Sequence, residues 1–436
     1  MLIVAAPLVL AQLAQNGMSF IDTVMIGRLG SASLAGMALG ATVFSLALVT
    51  VMALLLSVSP LAAQAVGAGR PQDAARATRH GLVLALILSI PVALLVANAA
   101  PLLLLLGQDE TIVATAELYL RAVGFAFPGA LAVVALRGLL EGHGDTRPIM
   151  FVAIAGVLLN GVTNYLLIFG KAGLPAFGLA GAGYATSFTY TCMALAFVVV
   201  IARRYPELRV FTGWKTPDLK LYRELLTVGW PISLTLGFEV GLFSAASLVM
   251  GYFGEAPLAG HQIAIQMSSL SFMVPLGVGI ATGIRVGQAA GRQDLAAVRL
   301  AGWTGISVAA GFMALTAAFY LLAPRVVVAL FIDIEDPANI AVVGYATSFL
   351  LLAGLFQVFD GVQVAAAGAL RGLKDTRMPM FITLLAYWLV GLPVGLLCAF
   401  VLDMGPRGMW IGLICALVSA ALLLSTRFRL HTRVLR

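Results

Sequence analysis

The chain has little charge and lacks any long hydrophilic segment. Only 10% of its 436 residues are charged and 61% are hydrophobic, whereas soluble domains contain about 25% charged residues. Apolar runs of about 20 residues recur along the chain, and each can cross a hydrocarbon core of roughly 30 Å. These runs do not alternate apolar and polar residues, which excludes a porin-like barrel. The composition therefore predicts an all-α polytopic membrane protein without a soluble domain.

Residues that commonly carry catalysis are also scarce. The sequence has three cysteines and four histidines, and no HExxH or GxxxxGK[ST] motif occurs. Cys192, Cys398 and Cys415 all lie in apolar runs, and their spacing matches neither a zinc site nor a disulfide framework. No serine or cysteine nucleophile has a base beside it. We therefore expect no catalytic residues, no cofactor and no nucleotide hydrolysis.

Twelve membrane spans are predicted, joined by short loops. The first span contains Gln12, Gln15, Asn16 and Asp22, and is longer and less uniformly apolar than a signal peptide. It is therefore interpreted as a membrane helix. The predicted bounds are 2–27, 39–67, 81–106, 118–140, 148–170, 179–202, 225–253, 262–290, 300–330, 341–370, 378–402 and 408–426.

The basic residues predict the topology. With the N-terminus in the cytoplasm, 21 of the 26 Lys and Arg residues fall on the cytoplasmic side. This asymmetry is the positive-inside rule, and it predicts that both termini are cytoplasmic. The expected location is a bacterial inner membrane. The net charge of +7 then reflects topology, so we expect no nucleic-acid partner. The five residues outside are Arg28, Arg121, Lys171, Arg325 and Arg407.

The chain contains an internal repeat at an offset of 224 residues. Pro7 aligns with Pro231, and the triplet from Leu34 aligns with the triplet from Leu258. After small gaps, Arg137-Gly138-Leu139 aligns with Arg371-Gly372-Leu373, and Asp145-Thr146-Arg147 with Asp375-Thr376-Arg377. An offset that keeps glycine and proline in register indicates duplication of a six-span segment.

Six is an even number, so both repeats enter the membrane from the same side and are parallel. Parallel repeats in transporters face each other across a central cavity, and the binding site lies near their interface. The sequence thus predicts an N-lobe at 1–202, a charged cytoplasmic linker at 203–224 and a C-lobe at 225–436.

Three acidic residues, Asp22, Glu239 and Asp360, lie inside predicted spans, and no Lys or Arg is predicted deep in a span beside them. A charge at the bilayer centre costs at least roughly 2.5–3.5 kcal/mol. Each carboxyl group must therefore be protonated, hydrated in a cavity or bound to a cation. Glu239 and Asp360 belong to the same repeat, although their predicted depths differ by roughly 7 Å. The alternative is a structural carboxyl group that binds a neighbouring helix.

Further polar residues could join these acids. Asn160 and Asn164 share one face of the fifth span, and Asn164 matches the depth of Asp22, so the three could form a polar cluster in the N-lobe. A purely structural role is the alternative, because asparagine commonly links membrane helices. Gln262 and Gln266, at the start of the eighth span, could line the cavity or occupy an ordinary helix end.

Beyond these single residues, the sequence resembles the multidrug and toxic compound extrusion (MATE) family over nearly its whole length. The resemblance implies twelve spans in two lobes, and an antiporter that exchanges Na⁺ or H⁺ for organic, often cationic, compounds. The motifs that carry it are FIDTVMIGRLGSASLAG, PLAGHQIA, GIRVGQAAG, RGLLEGHGDTRP and RGLKDTRMP.

Similarity to the NorM-type branch of this family implies roles for particular residues. It implies a cation site at Glu239 and Asp360, which would be the metal ligands if the ion is Na⁺. It also implies roles for Asp22, Asn160 and Asn164. Some NorM-type proteins have tyrosine four residues before the Asp360 position, whereas this chain has Phe356. A possible hydroxyl ligand is thereby lost, and Phe356 is instead a candidate for lining the cavity.

The predicted function is therefore secondary antiport by alternating access. One alternative is a lipid-linked precursor flippase of the same superfamily, which would favour a cavity with buried Arg or Lys. An intramembrane enzyme would require an acid/base or metal constellation at one depth, and a passive channel does not explain two lobes. Membrane lipid and small organic substrates are the expected partners of a monomeric protein.

Overall fold

The structure is a computed structural model, and it describes residues 1–212 and 218–434. Within these residues the chain is helical, and no β-strand occurs. The α-helices are α1 Leu2–Gly27, α2 Ser31–Leu55, α3 Val58–Gly67, α4 Pro71–Ala97, α5 Ala100–Leu105, α6 Glu110–Val123, α7 Ala126–His143, α8 Arg147–Phe169, α9 Gly178–Arg204, α10 Leu219–Tyr252, α11 Glu255–Gly291, α12 Leu295–Leu322, α13 Pro324–Ala329, α14 Ile340–Gly372, α15 Arg377–Leu384, α16 Leu392–Leu396 and α17 Pro406–Val434. Segments of π-helix occupy Leu385–Gly391 and Leu397–Val401, and 3₁₀ turns occupy Pro206–Leu208 and Pro337–Asn339.

Twelve spans can be counted in the described residues. Eleven are single segments long and apolar enough to cross a membrane, and the pair α6 and α7 forms a twelfth, bent by 50°. The predicted all-α polytopic fold is therefore confirmed. Several bounds differ from the prediction, because helices extend beyond the apolar core: the eighth span begins at Glu255 rather than 262, after Gly254, whose φ is +109°.

Three prolines explain where helices that were predicted as continuous are broken. A proline ring clashes with the carbonyl group four residues earlier and supplies no N–H group to it. Pro60 lies four residues after residue 56, in the break between α2 and α3. Pro101 lies four residues after the end of α4 at Ala97, and Pro128 lies four residues after residue 124, in the break between α6 and α7. The prolines also occupy the first turn of the following helix, where they are tolerated.

Contacts divide the chain into two compact units. The first unit comprises Leu10–Ser233, and the second comprises Met1–Val9 with Leu234–Arg436. The boundaries lie within α1 and α10, two residues after Pro7 and Pro231 respectively. Residues 213–217 of the predicted linker lie outside the described residues, and the described part contains a 3₁₀ turn before α10 begins.

The repeat is visible in the backbone of each unit. Gly30 and Gly254, 224 residues apart, have the same φ of +109°. Gly69 and Gln293, at the same offset, both adopt positive φ, as do Gly144 and Lys374 in the turns before the Asp-Thr-Arg motifs. Each unit therefore uses the same turns, even where glycine has been replaced.

The glycine contacts near the Asp-Thr-Arg motifs compare the two repeats at one further place. A Cβ on Gly372 would contact Gly283, Gly287 and Val286. At the 224-residue offset, Gly283 corresponds to Ser59, which a Cβ on Gly138 would contact, whereas Val286 and Gly287 correspond to Ala62 and Ala63, which a Cβ on Gly142 would contact. The contacts of Gly372 therefore combine those of both glycines, and its alignment with Gly138 stays a prediction.

Small residues allow α11 and α14 to pack closely in the second unit. A Cβ on Gly368 would lie 2.2 Å from the carbonyl oxygen of Gly279, and a Cβ on Gly372 would lie 2.4 Å from that of Gly283. Both pairs have the four-residue spacing at which small residues bring two membrane helices together. This crossing holds the helix that carries Asp360.

Large apolar side chains cover the outside of the helices. Leu105 is 85% exposed, Leu322 85% and Leu248 78%. Many others are similarly exposed, which is more apolar surface than soluble proteins leave to water. In a membrane, these side chains face lipid tails, so the exposed surface agrees with the predicted environment.

Candidate functional site

The second unit places Glu239 of α10 and Asp360 of α14 close enough to interact electrostatically. Asp360 is only 5% exposed, and the amide Nε2 of Gln363, one turn further along α14, donates to its Oδ1 at 3.4 Å. Glu239 is half-buried. The predicted difference in depth does not keep the two acids apart, although their role as a cation site stays a prediction.

The residue after Asp360 explains how α12 approaches this part of α14. A Cβ on Gly361 would lie 2.7 Å from Cγ of Met313 and 3.0 Å from the carbonyl oxygen of Ala309. α12 therefore covers the helix beside Asp360.

Sequence reasoning missed Tyr387, which belongs to the π-helical segment Leu385–Gly391. Its ring is 1% exposed, and its hydroxyl group interacts electrostatically with both Glu239 and Asp360. A tyrosine in an apolar span gives no distinctive signal, because most such rings pack in the core. The π-helical turn, which determines where the ring points, has no pattern that hydropathy detects.

Phe356 lies in an aromatic cluster in the second unit. Its ring stacks on Trp410 with a centroid distance of 5.6 Å and is 1% exposed. Trp410 also stacks on Phe349 and contacts His261, each at 5.5 Å. Phe356 therefore packs in the core of this unit, and its face is not available to line an open cavity in this structure.

Three polar residues that follow the PLAG motif differ in their surroundings. His261 is fully buried, and its Nε2 lies 3.1 Å from the hydroxyl group of Ser247. Gln262 and Gln266, on the same helix, are exposed. Their role in lining a cavity stays a prediction.

The first unit brings together Asp22, Asn160 and Asn164, as the sequence suggested. Asn164 Nδ2 donates both to Asp22 Oδ1 and, at 3.1 Å, to Asn160 Oδ1. All three side chains are buried. A fourth member was missed, because Thr186 of α9 donates to Asp22 Oδ2 at 3.5 Å. Threonine hydroxyl groups in membrane helices usually bind their own backbone, so this one carried no signal.

This cluster retains unused hydrogen-bonding capacity. Among the described residues, Asn160 Nδ2 and Asn164 Oδ1 have no hydrogen-bond partner, although both are buried. A buried polar group left unpaired costs about 1–3 kcal/mol. The cluster can therefore accept a further polar partner beside the Asp22 carboxyl group. Its participation in coupling stays a prediction.

The sequence predicts no Lys or Arg deep in a span beside the three acids. Arg371, in the last turn of α14, nevertheless interacts electrostatically with Glu239. In the first unit, a second basic residue, Arg137, is largely buried. It lies on α7, six residues before the helix ends, and its Nε donates to Glu141 at 2.8 Å. Its Nη2 also donates to Gln12 of α1 at 3.1 Å. Both charged side chains are largely buried, at 13% and 7% exposed. The pair was missed because it lies around residue 140, the predicted end of the fourth span, where charges are common.

The Asp-Thr-Arg motif of each unit is joined to the last span of that unit. Asp145 accepts from Arg204 Nη1 and, at 3.3 Å, from the hydroxyl group of Tyr205. Burial, followed by the neighbouring Asp145 charge, raises the pKa of Tyr205 to about 12, so the hydroxyl group stays protonated and donates. Asp375 accepts from Arg427 Nε at 2.8 Å and lies 3.0 Å from His431 Nδ1. The signature motif thus has a structural use in both halves.

Replacing Asp375 by asparagine is expected to destabilise the protein by about 1–2 kcal/mol. The Asp375 side chain is 8% exposed and would lose its charge beside Arg427, which is 35% exposed and so partly compensated by water. Thermal unfolding in detergent measures the effect. Asp403→Asn is the control, because Asp403 is exposed with a φ of +51° that asparagine tolerates. Equal melting temperatures for the two variants would show that Asp375 is not a structural link.

The described residues form no group of three or more His, Cys, Asp and Glu side chains that could hold a metal ion.

Two helical units that bury carboxyl groups inside apolar spans define a polytopic membrane transporter. The comparisons with known proteins identify its family. The MatE family profile matches residues 7–166 and 231–397, and the second match begins 224 residues after the first. The chain belongs to the MatE family, and its relatives are transporters rather than enzymes.

Several relatives match over nearly the whole chain. A probable multidrug resistance protein NorM of Mesorhizobium japonicum is 41% identical, covering 99% of this chain and 94% of that protein. Another, of Deinococcus radiodurans, is 42% identical, with 98% and 94% covered. A multidrug resistance protein NorM of Burkholderia vietnamiensis is 40% identical, with 98% and 93% covered.

Solved structures show the same fold at lower identity. The eukaryotic MATE transporter AtDTX14 has a TM-score of 0.85 at 22% identity, covering all of this chain and 97% of its own. A MOP superfamily transporter from Pyrococcus furiosus has a TM-score of 0.88 at 22% identity, covering 100% and 95%. A MATE structure in a bent conformation has a TM-score of 0.89 at 21% identity, covering 99% and 94%.

Proposed function

We propose that this protein is a secondary antiporter that exports organic, often cationic, compounds in exchange for Na⁺ or H⁺. The observation that carries the proposal is the proximity of Glu239 and Asp360 inside one apolar unit. Two carboxyl groups held at one place in a membrane attract small cations, and they must lose their charge before an apolar environment is favourable. The relatives named as multidrug resistance proteins support the choice of organic compounds as substrates.

Exchange requires that the cation and the substrate prefer different conformations of the protein. A cation that neutralises Glu239 and Asp360 favours one conformation, from which substrate leaves outward. Loss of the cation on the inner side then favours the conformation that accepts substrate. Each ligand shifts the equilibrium only by its difference in affinity for the two conformations. We place both termini in the cytoplasm on the asymmetry of the basic residues, and the protein in a bacterial inner membrane on its similarity to proteins of bacteria.

A lipid-linked precursor flippase is the less favoured alternative. A pyrophosphate headgroup needs uncompensated positive charge, and Arg or Lys inside the membrane would have to supply it. Arg137 is largely buried, but Glu141 accepts its hydrogen bond at 2.8 Å and balances its charge. This ion pair offers no net charge to a phosphate.

Transport in reconstituted vesicles tests the proposed function. Purified protein in liposomes is expected to accumulate ethidium when an outward gradient of Na⁺ or of H⁺ is imposed, and liposomes without protein are the control. The two gradients applied separately identify the coupling ion. Ethidium uptake that neither gradient drives would contradict antiport, and movement of a fluorescent lipid-linked pyrophosphate in the same vesicles would favour the flippase.

A further inference from the structure

A π-helical turn separates α15 from α16 in the eleventh span. Such turns insert one extra residue into a helix and often occur at functional sites. This turn, Leu385–Gly391, is followed closely by Pro393, which has no N–H group for the carbonyl groups of the preceding turn. The sequence therefore explains why regular α-helical bonding fails here. The extra residue changes the direction in which the side chains of the turn point.

The π-helical turn packs directly on the turn of α10 that carries Glu239. Trp388 Nε1 donates to the carbonyl oxygen of Phe238 at 3.3 Å. A Cβ on Gly241 would lie 2.8 Å from Cζ2 of the same tryptophan, so only glycine leaves room for the ring. The two contacts flank Glu239 in sequence. They hold the backbone around Glu239 against the residues next to Tyr387.

Tyr387 places a hydroxyl group in this buried region. The Oη atom is buried and has no hydrogen-bond partner among the described residues. Leaving such a group unpaired costs about 1–3 kcal/mol, and phenylalanine would fill the same space without that cost. The hydroxyl group interacts electrostatically with Glu239 and Asp360 and with no other charged residue that we identify within the described chain. An unpaired polar group beside two acids indicates a missing partner.

We propose that the Tyr387 hydroxyl oxygen is a ligand for Na⁺ at Glu239 and Asp360. The inference rests on the proposed function and narrows it to sodium. Hard cations bind several oxygen ligands, and two carboxylates alone supply few of them. Tyr387 adds a neutral oxygen, and Gln363 beside Asp360 offers a second through its amide. A proton binds to a single carboxyl oxygen, so proton coupling would not require the Tyr387 hydroxyl group as a ligand.

Binding of radioactive ²²Na⁺ to the purified full-length protein tests the proposal. We expect saturable binding at constant pH and ionic strength, with choline replacing sodium. Tyr387→Phe should weaken the affinity about tenfold, as expected for losing one oxygen ligand, without changing the number of sites. Tyr345→Phe is the matched control, because Tyr345 lies on α14 fifteen residues before Asp360, or about 22 Å along the helix. Its affinity should equal that of the unchanged protein.

Stability without sodium distinguishes a ligand from a structural tyrosine. Tyr387→Phe removes an unpaired buried hydroxyl group, so the sodium-free variant should melt at the same or a higher temperature. Sodium should then stabilise it less than it stabilises the unchanged protein, because ligand binding to the folded state raises stability. A sodium-free variant that melts earlier, or fails to fold, would overturn the assignment. Affinity within about twofold of the unchanged protein would also overturn it.

Glu239→Gln separates this inference from the proposed function. If it abolishes both ²²Na⁺ binding and export while Tyr387→Phe binds normally, only the Tyr387 assignment is overturned. Export driven by a proton gradient, with no ²²Na⁺ binding by the unchanged protein, overturns the assignment and leaves antiport intact. Export that continues in Glu239→Gln overturns the proposed function itself.

Discussion

Replacing Glu239 by glutamine, or Asp360 by asparagine, is expected to abolish gradient-driven ethidium export while each protein still reaches the membrane. Each amide keeps the shape of the acid but removes the charge that a cation neutralises. Loss of one partner from a buried charged site costs about 3–5 kcal/mol, which corresponds to at least a hundredfold weaker cation binding. At physiological ion concentrations that loss should reduce the initial rate of export to the level of vesicles without protein.

Glu335→Gln provides the control for this prediction. Glu335 lies in the loop before α14 and is exposed, so this substitution makes the same chemical change at the surface. Its export rate should equal that of the unchanged protein. The assay also reports membrane expression, since a variant that fails to insert gives no information on coupling. Normal ethidium export by correctly inserted Glu239→Gln and Asp360→Asn proteins would remove both residues from the mechanism.

The spans could be predicted because hydropathy is a property of short segments, whereas the breaks within them could not. Pro60, Pro101 and Pro128 all lie at breaks, yet Pro91 and Pro275 lie inside continuous helices. Whether a proline ends a helix depends on whether neighbouring groups satisfy the carbonyl groups that it leaves free. Those neighbours are distant in sequence, so the letters alone do not distinguish the two outcomes.

In the candidate site, too, some residues could be predicted from the sequence, whereas others are revealed only by helix packing. Glu239 and Asp360 could be found because a carboxyl group inside an apolar run is unusual in sequence. Their proximity could not be derived, because counting residues from loop ends ignores the length and tilt of α10 and α14. Tyr387 and Thr186 could not be found, because hydroxyl groups are common in membrane helices and only packing shows which of them face an acid.

Arg137 marks a different limit of the sequence reasoning. Glu141 lies only four residues away on the same helix, but the second partner, Gln12 of α1, lies more than 120 residues earlier in the chain. Once Glu141 and Gln12 are in contact with it, the cost of burying the guanidinium group is offset by hydrogen bonds. The predicted absence of buried basic residues therefore failed where helix packing creates a polar environment that composition does not reveal.

Gly368→Ala is expected to destabilise the second unit by about 1–3 kcal/mol or more, because the added methyl group overpacks a close helix crossing. The new Cβ would lie 2.2 Å from the carbonyl oxygen of Gly279 and 2.8 Å from its carbonyl carbon. Both atoms belong to the backbone, so no side chain can rotate to make room. α11 and α14 would have to separate, and the helix that carries Asp360 would move with them.

The heat resistance of detergent-solubilised protein, followed by size-exclusion chromatography, measures this effect. Gly344→Ala is the matched control on α14, because no atom lies within 4 Å of a Cβ there. In that variant alanine should leave stability unchanged or raise it by about 0.5–1 kcal/mol through its better helix propensity. The same substitution in one helix should therefore have opposite effects at two positions. If Gly368→Ala is as heat-resistant as Gly344→Ala, the close crossing of α11 and α14 does not stabilise the unit.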